Sequence, residues 1–346
     1  MQALSNINRI QVRNETLMLL LSLYESKGKT FYYNELFKRD SNTLLSKTLE
    51  TDIIEISKLL SLDISDVRVK LCAKKNIAPK NKDEQLLVNI KKILSRIQEY
   101  HDRFELLVNE ADELAKLLAK NATKISWSVI PNLDKSLFDY KNTKESFQTL
   151  IDLYNSKIKL KEYEVTNLIT NFYIDFLNMN VFDNYNDLLA LIFMYVMIFQ
   201  NFPIFTYISF FKYFRKYEQP WQLAIKQANY NWESGFPQTD GLTELIYKIL
   251  VDSYQELDEI AYQYEFEKDL NKSDALENTI LKMRELFTKE DLRRLHPLIS
   301  DSTISRTLER LKNERKIMVI GAGRASKWQV IAEVDQGFTQ LNIFSD

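Results

Sequence analysis

Glycine is scarce in this chain of 346 residues. There are six glycines and six prolines, and residues 29–234 contain no glycine at all. Tight hairpins and loops that cradle phosphate groups usually need glycine, because its backbone reaches conformations that other residues avoid. Neither a P-loop nor a dinucleotide-binding glycine pattern is present. The scarcity predicts a mainly α protein, with 45% hydrophobic residues and a net charge of −2 that are ordinary for a globular chain.

Cysteine and histidine are almost absent as well. Cys72 is the only cysteine, so a disulfide within the chain is excluded and a reducing, cytoplasmic location is expected. His101 and His296 are the only histidines, and neither lies near a plausible nucleophile in the sequence. No cysteine cluster or paired-histidine motif is available to bind zinc, and no metal site is predicted. The first residues lack the basic region and apolar core of a signal peptide.

One long uncharged run raises the question of a membrane span. Residues 188–211 carry no charge and are numerous enough to cross a bilayer. Gln200, Asn201 and Pro203 interrupt the run in its middle, and a proline after two amides favours the end of one helix and the start of another. We therefore predict two buried helices here and no membrane span.

Apolar residues at helical spacing predict a chain of helices before residue 268. Residues 84–120 follow such a pattern over four heptads, which predicts either one long helix or a helical hairpin, with an intermolecular coiled coil as the alternative. Residues 268–273 are polar and predict a linker. The predicted domains are an N-terminal helical region (1–125), a second helical domain (126–268) and a C-terminal module (275–335). The other predicted helices span residues 15–24, 44–60, 143–158, 164–179, 186–200, 204–217, 221–229 and 241–263.

The C-terminal module has the pattern of a winged helix-turn-helix. Thr288 and Asp291 form a capping-box pattern, which predicts a short helix over residues 289–295. Asp301 or Ser302 is expected to cap a second helix whose apolar positions lie on one side. Two alternating apolar runs around Gly321 and Gly323 then predict a β-hairpin.

The exposed side of this module predicts DNA contact. Residues 301–330 carry seven cations and three anions, and positive charge of this kind attracts phosphates. The start of the second helix is the end that such motifs place in the major groove, and the hairpin could reach the backbone or the minor groove. Winged helices also serve as protein-docking modules, which stays the alternative. The predicted DNA-binding residues are Ser302, Thr303, Ser305, Arg306, Arg310, Arg324 and Lys327.

Residues 128–331 resemble the Fic family. The segments that carry the resemblance are residues 202–209 (FPIFTYIS), 221–224, 231–235, 243–254, 303–308 and 321–324. The resemblance implies a multi-helix bundle that transfers AMP or a related nucleotide group to protein hydroxyls, often followed by a winged helix.

The defining Fic motif, HPFxDGNGR, falls on residues 180–188 of this chain, and only Phe182 and Asn186 match it. Asn180 stands in place of the histidine that removes the proton from the target hydroxyl, and Asn184 in place of the metal-binding acid. Tyr185 and Asp187 replace the two glycines, and Leu188 replaces the phosphate-binding arginine. Asparagine cannot act as a base near neutral pH, so the resemblance implies that the usual chemistry is absent.

A weaker resemblance lies near the N-terminus. Residues 46–51 resemble the inhibitory helix signature [S/T]xxxE[G/N] of the family, with Ser46 and Glu50 at its key positions and Thr51 departing from its last one. A glutamate on a solvated helix face explains the same residues.

The sequence therefore predicts a catalytically inactive Fic-like scaffold with a DNA-binding module, acting as a regulator or adaptor and needing no cofactor. Its helical body could provide a homodimer interface. The alternative is a nucleotidyltransferase that uses ATP and magnesium with Asp183, Asn184, Asn186 and Asp187 in place of the usual set. A protein-binding module in a phage-defence or toxin context is a third reading.

Overall fold

The structure is a computed structural model that describes residues 2–9, 13–131, 140–267, 272–296, 299–321 and 326–331. The chain divides into two compact units, residues 1–261 and 262–346. The predicted mainly α fold with a C-terminal β-hairpin is confirmed. The finer boundary predicted at residue 125 stays a prediction.

Helices make up most of the first unit. In its described part, a small sheet pairs two short antiparallel strands, β1 (Val129–Pro131) and β2 (Tyr140–Asn142), which the sequence analysis did not predict. The helices are α1 (Gln2–Ser5), α2 (Asn14–Gly28), α3 (Thr30–Phe37), α4 (Ser41–Leu59), α5 (Asp66–Lys74), α6 (Lys82–Tyr100), α7 (Val108–Ala119), α8 (Lys144–Leu160), α9 (Val165–Met179), α10 (Asn186–Asn201), α11 (Phe210–Lys216), α12 (Glu218–Tyr230) and α13 (Asp240–Glu267), the last of which contains the boundary between the units.

Helix α10 forms the centre of the first unit. Every residue from Leu188 to Phe199 is buried, and a helix that is apolar on all sides is stable only when other elements surround it. It packs against α9. The helix ends at Asn201, so the uncharged run is interrupted there, as the sequence predicts. Among the described residues no helix is long and apolar enough to cross a membrane.

The pattern over residues 84–120 forms a helical hairpin. Helices α6 and α7 pack against each other and are separated by a 3-10 turn at His101–Arg103. His101 stacks on Phe199 of α10, with ring centroids 4.0 Å apart and planes 9° from parallel. Burial lowers the pKa of this imidazole. His101 is therefore packed against the central helix of the unit.

The predicted helix over residues 204–217 is wrong in its first half. Residues Pro203–Thr206 form a 3-10 turn, and α11 begins only at Phe210. Ser209 caps α11 by accepting a hydrogen bond from the Lys212 amide at 3.1 Å. Its hydroxyl also donates to Oδ1 of the buried Asp52 of α4 at 2.5 Å. A side chain 157 residues away thus fixes where the helix starts, which the local sequence cannot indicate.

The second unit contains the predicted helix, turn, helix and hairpin, preceded by one more helix. This helix, α14 (Lys272–Lys282), includes the last two residues of the predicted linker; residues 268–271 lie outside the described residues. Helix α15 (Lys289–Leu295) has the predicted bounds, and its capping box between Thr288 and Asp291 is confirmed. Helix α16 (Asp301–Asn313) is capped by Ser300 rather than by Asp301 or Ser302, because the Ser300 hydroxyl accepts from the Thr303 amide at 3.2 Å.

The hairpin pairs β3 (Ile317–Ile320) with β4 (Lys327–Val330) in antiparallel register, with Ile317 opposite Val330. A further bridge joins Trp328 to Phe287 through hydrogen bonds of 2.7 and 3.0 Å, so the segment before α15 extends the sheet. Apolar side chains from the helices and both strands form one core beneath it. The buried members of this core are Leu276, Ile280, Phe287, Leu292, Ile299, Ile304, Leu308, Leu311, Ile317 and Trp328.

Candidate functional site

The loop between α9 and α10, residues 180–185, is the first candidate site. It starts at Asn180 and ends at Tyr185, and both residues have left-handed backbone conformations, with φ of 46° and 52°. An aromatic residue rarely adopts this conformation, which costs on the order of 1–2 kcal/mol outside glycine. Tyr185 is half-buried, and burial raises the pKa of its phenol, with the Asp83 carboxylate as a second cause.

The backbone of this loop is bonded to the segment that leads into β1. The Val181 carbonyl accepts from the Ser128 amide at 3.0 Å and from the Thr143 hydroxyl at 2.6 Å. The Asp183 amide donates to the Ser126 carbonyl at 3.0 Å. Between these bonds Phe182 forms a strand-like bridge with Trp127. Protein groups therefore already bind the Val181 carbonyl and the Asp183 amide.

The two residues that the sequence analysis aligns with the Fic motif have structural roles. Phe182 is fully buried, and its ring centroid lies 4.5 Å from that of Trp127. Asn186 is buried at the start of α10; its Oδ1 accepts from the Phe182 amide at 3.1 Å, and its Nδ2 donates to the Leu177 carbonyl at 3.4 Å. One residue anchors the loop in the core, and the other ties its two ends together.

The sequence analysis predicts that the other loop positions depart from the motif. Asp183 lies in the loop, not on the helix with Asp187, and its carboxylate accepts from the Ser126 amide at 2.8 Å and the Ser126 hydroxyl at 2.6 Å. Asn184 donates to Thr123 and to the Lys124 carbonyl. Asp187 is exposed in the first turn of α10, and Leu188 is buried. Asn180 is exposed at the end of α9.

No imidazole belongs to this loop. His101 stacks on Phe199, which lies fourteen residues beyond Tyr185 on α10, or about 20 Å along the helix at ~1.5 Å per residue. His296 lies in the second unit, where its Nε2 is 2.8 Å from the Thr279 hydroxyl. Among the described residues, no group of three or more histidine, cysteine or acidic side chains could hold a metal ion.

The residues of the predicted inhibitory helix lie on α4. Glu50 forms an ion pair with Lys74 of α5 at 3.3 Å, and Ser46 is exposed. The pair joins two neighbouring helices and gives Glu50 a structural role. An inhibitory role stays a prediction.

The outward side of α16 is the second candidate site. Ile304, Thr307, Leu308 and Leu311 are buried, so the opposite stripe presents Ser302, Arg306, Glu309 and Asn313 to solvent. The guanidinium of Arg306 makes one hydrogen bond, from Nε to the Ser302 carbonyl at 3.3 Å, and within the described residues it has no carboxylate partner.

The other predicted DNA-binding residues differ in whether they already form hydrogen bonds within the second unit. The Ser302 and Thr303 hydroxyls each lie 2.9 Å from the Ser300 hydroxyl, and Ser305 accepts from Lys289 at 3.1 Å. Lys327 is exposed on β4. Arg324 lies outside the described residues.

Arg310 is bonded into the second unit by an ion-pair network. Its guanidinium donates to Glu277 of α14 at 2.5 Å and to Glu314 at 3.2 Å. Lys316 binds the same two carboxylates at 2.7 and 2.9 Å. These contacts raise the pKa of both cations and lower the pKa of both acids. The sequence analysis predicts no helix over residues 272–282 and therefore does not place Glu277 beside Arg310.

Comparison with known proteins identifies the fold. The chain has a Fic-like fold. It is similar to a Fic family protein from Desulfovibrio desulfuricans G20, with a TM-score of 0.55 and 10% identity over 94% of this chain and 98% of the other. It is also similar to a Fic domain-containing signaling protein from Bacteroides thetaiotaomicron VPI-5482, with a TM-score of 0.49 and 13% identity over 70% of this chain and 98% of the other. No protein-family model and no curated protein matches the sequence.

Proposed function

We propose that this chain is a Fic-fold scaffold without nucleotidyl-transfer activity that binds duplex DNA through α16 and the following hairpin, as a regulator or adaptor. The proposed inactivity rests on a contrast between the loop residues that hold the structure and the loop positions where the chemistry of the family takes place. Phe182 and Asn186, which hold the loop in place, match the motif, whereas the positions for the base, the metal-binding acid and the phosphate-binding arginine are Asn180, Asn184 and Leu188.

The chemistry of the loop supports inactivity. Nucleotidyl transfer to a hydroxyl needs a group that accepts its proton, and a positioned base contributes about 10²–10⁴-fold to such a step. The Asn180 amide has no basic lone pair near neutral pH. The exposed Asp187 carboxylate lies in the first turn of α10, where its charge satisfies the positive end of the helix and would repel a polyphosphate.

The charge distribution on the second unit supports DNA binding. Arg306 is exposed and has no carboxylate partner in the described part of the chain, and Lys312, Arg315 and Lys327 are exposed cations on the same helix or beyond it. Asp301, the acid at the start of α16, binds Arg293 through two hydrogen bonds of 2.6 and 2.9 Å, which neutralises its charge. Unpaired cations near a helix start can bind phosphates or guanine edges.

Replacing Arg306 by alanine is expected to lower duplex affinity by about tenfold or more and to reduce the slope of log affinity against log salt by about one. The measurement is fluorescence anisotropy of the full chain with a labelled duplex between about 50 and 200 mM salt. Arg284→Ala removes another exposed cation of the same unit and serves as the matched control.

The choice of Arg306 keeps an effect on DNA binding distinct from an effect on folding. Arg310→Ala is a poor substitute, since it breaks the bonds to Glu277 and Glu314 and is expected to lower the stability of the unit. If the Arg306 variant binds duplex as the parent does at every salt concentration, α16 is not the reading helix. A parent chain that binds no duplex at about 50 mM salt would leave the winged unit as a protein-docking module.

The alternative activity is nucleotidyl transfer with a rebuilt site. One observation favours it: within the described residues no side chain caps the start of α10, and helix starts of this kind can bind anions. Under this alternative Asp183 and Asp187 would hold magnesium with ATP. Against it, Asp183, Asn184 and Asn186 already bond to Ser126, to residues 123–124 and to Phe182.

A further inference from the structure

The exposed stripe of α16 carries charges of both signs. Its members are Ser302, Arg306, Glu309 and Asn313, and all four are exposed. At about 100° per residue they lie within an arc of about 60°, centred opposite the buried side of the helix. Cations alone are sufficient to bind phosphates, and an acid weakens such binding. The presence of Glu309 on this stripe therefore favours a partner group other than phosphate.

The Glu309 carboxylate is available to accept hydrogen bonds. It forms no hydrogen bond or ion pair within the described residues, although cations lie three positions before and after it. The acids at the two ends of the helix differ from it in this respect. Asp301 at the start and Glu314 just past the end form ion pairs with arginines at 2.6 and 3.2 Å. Glu309 is thus the acid on α16 whose charge is not neutralised in the described part of the unit.

The Arg306 guanidinium is available as a paired donor. Its Nε donates to the Ser302 carbonyl at 3.3 Å, and within the described residues Nη1 and Nη2 have no partner. Two adjacent N–H donors match the O6 and N7 acceptors that guanine presents in the major groove. A carboxylate has only acceptors, and it matches the N4 amino group of cytosine in the same groove. The two side chains therefore fit different bases.

The spacing of Arg306 and Glu309 fits neighbouring base pairs. Residues three positions apart are separated by about 4.5 Å along a helix axis at ~1.5 Å per residue. Stacked base pairs are separated by about 3.4 Å. A helix in the major groove can therefore place these two side chains against adjacent pairs.

We propose that α16 reads two adjacent G·C base pairs, with Arg306 donating to the guanine of one pair and Glu309 accepting from the cytosine N4 amino group of the other. This base recognition rests on the proposed DNA binding and adds the base pairs that α16 selects. A duplex without that cytosine leaves the Glu309 charge unpaired near phosphates and binds more weakly. Glu309 thus contributes specificity, whereas the cations of the unit contribute affinity.

The experiment is selection by the full chain from a library of duplexes with randomised positions, followed by sequencing of the bound fraction. The parent is expected to enrich two adjacent G·C pairs. Glu309→Ala is expected to lose the selection at one pair and to keep it at the other, and anisotropy titrations are expected to show about tenfold less discrimination at the lost pair. Glu309→Gln is expected to select adenine in place of that cytosine, because an amide can donate to adenine N7 and accept from its N6 amino group.

The matched control is Glu285→Ala, which removes another exposed acid of the second unit and is expected to select the same two pairs as the parent. Circular dichroism verifies that each variant folds. If both Glu309 variants select the same base pairs as the parent, DNA binding stands and the assignment of Glu309 is overturned. A parent that selects sites without adjacent G·C pairs overturns it as well. A parent that enriches no duplex at about 50 mM salt overturns the proposed DNA binding and the base recognition together.

Discussion

Replacing Asp175 by alanine is expected to lower the free energy of unfolding of the first unit by about 3–5 kcal/mol. The Asp175 carboxylate is fully buried in α9. It accepts hydrogen bonds from the amides of Ala3 and Leu4, both at 2.9 Å, and from the Trp232 indole at 2.8 Å. Removing it leaves three donors without their acceptor, and it detaches α1, whose Ala3 and Leu4 are fully buried, from the rest of the unit.

Urea unfolding monitored by tryptophan fluorescence measures this effect. Asp152→Ala, which removes an exposed aspartate from α8, is the matched control and is expected to stay within about 0.5 kcal/mol of the parent. Hydrogen exchange supplies a local readout, since residues 2–9 are expected to lose protection first in the Asp175 variant. A loss of stability no larger than that of the control would show that the three hydrogen bonds do not anchor the N-terminal segment.

Asp52 is expected to make the first unit less stable as the pH rises. Burial raises the pKa of its carboxyl group to about 7, with the nearby Glu55 carboxylate adding to the shift and the hydrogen bonds from Ser209 and Phe211 opposing it. Its Oδ2 and the hydroxyl of Tyr195 are both buried without a hydrogen-bond partner among the described residues. An ionised carboxylate at this position is therefore poorly solvated.

The sign of this pH dependence follows from the difference in proton binding between the folded and the unfolded chain. Below about pH 4 the carboxyl group is protonated in the folded and the unfolded chain alike. Between about pH 4 and 7 the unfolded chain releases the proton while the folded chain keeps it, so stability falls with rising pH and levels off above pH 7. The total loss is on the order of a few kcal/mol.

Asp52→Asn is expected to remove this loss. The amide oxygen can accept from Ser209 and Phe211 as the carboxylate does, and it carries no charge at any pH. Urea unfolding at pH 5 and pH 8 compares the variant with the parent and with Asp187→Asn, which changes an exposed aspartate. The Asp52 variant is expected to gain stability over the parent mainly at pH 8. An equal difference at the two pH values would contradict a buried, protonated Asp52.

Local signals in the sequence predict the second unit well. The Thr288 and Asp291 capping box and the apolar spacing of α16 depend on residues within four positions of one another, and each strand of the hairpin is indicated by its own short run. The elements that were missed depend on distant partners. Helix α14 is short and polar, and its buried Leu276 and Ile280 pack in the core that α16 and the hairpin complete. The start of α11 depends on Asp52 of α4.

In the loop at residues 180–185, too, contacts with distant residues could not be predicted from the sequence. The sequence predicts which motif residues are replaced, because that prediction uses an alignment of only nine positions. It does not indicate that Val181, Phe182 and Asp183 bond to residues 126–128 or that Asp183 binds Ser126, since those partners lie more than fifty residues away. Likewise, the ion pair between Arg310 and Glu277 depends on where α14 folds. Because Arg310 is held by this ion pair, Arg306 is the better residue for testing DNA contact.

Nucleotide binding tests most directly the central proposal, that this chain carries out no nucleotidyl transfer at residues 180–188. The full chain is titrated with ATP, GTP, CTP and UTP at millimolar concentration with magnesium, and its melting temperature is recorded. The proposed loss of the base, the metal-binding acid and the phosphate-binding arginine at Asn180, Asn184 and Leu188 predicts no saturable shift with any of the four. A saturable increase in melting temperature that requires magnesium would contradict the claim.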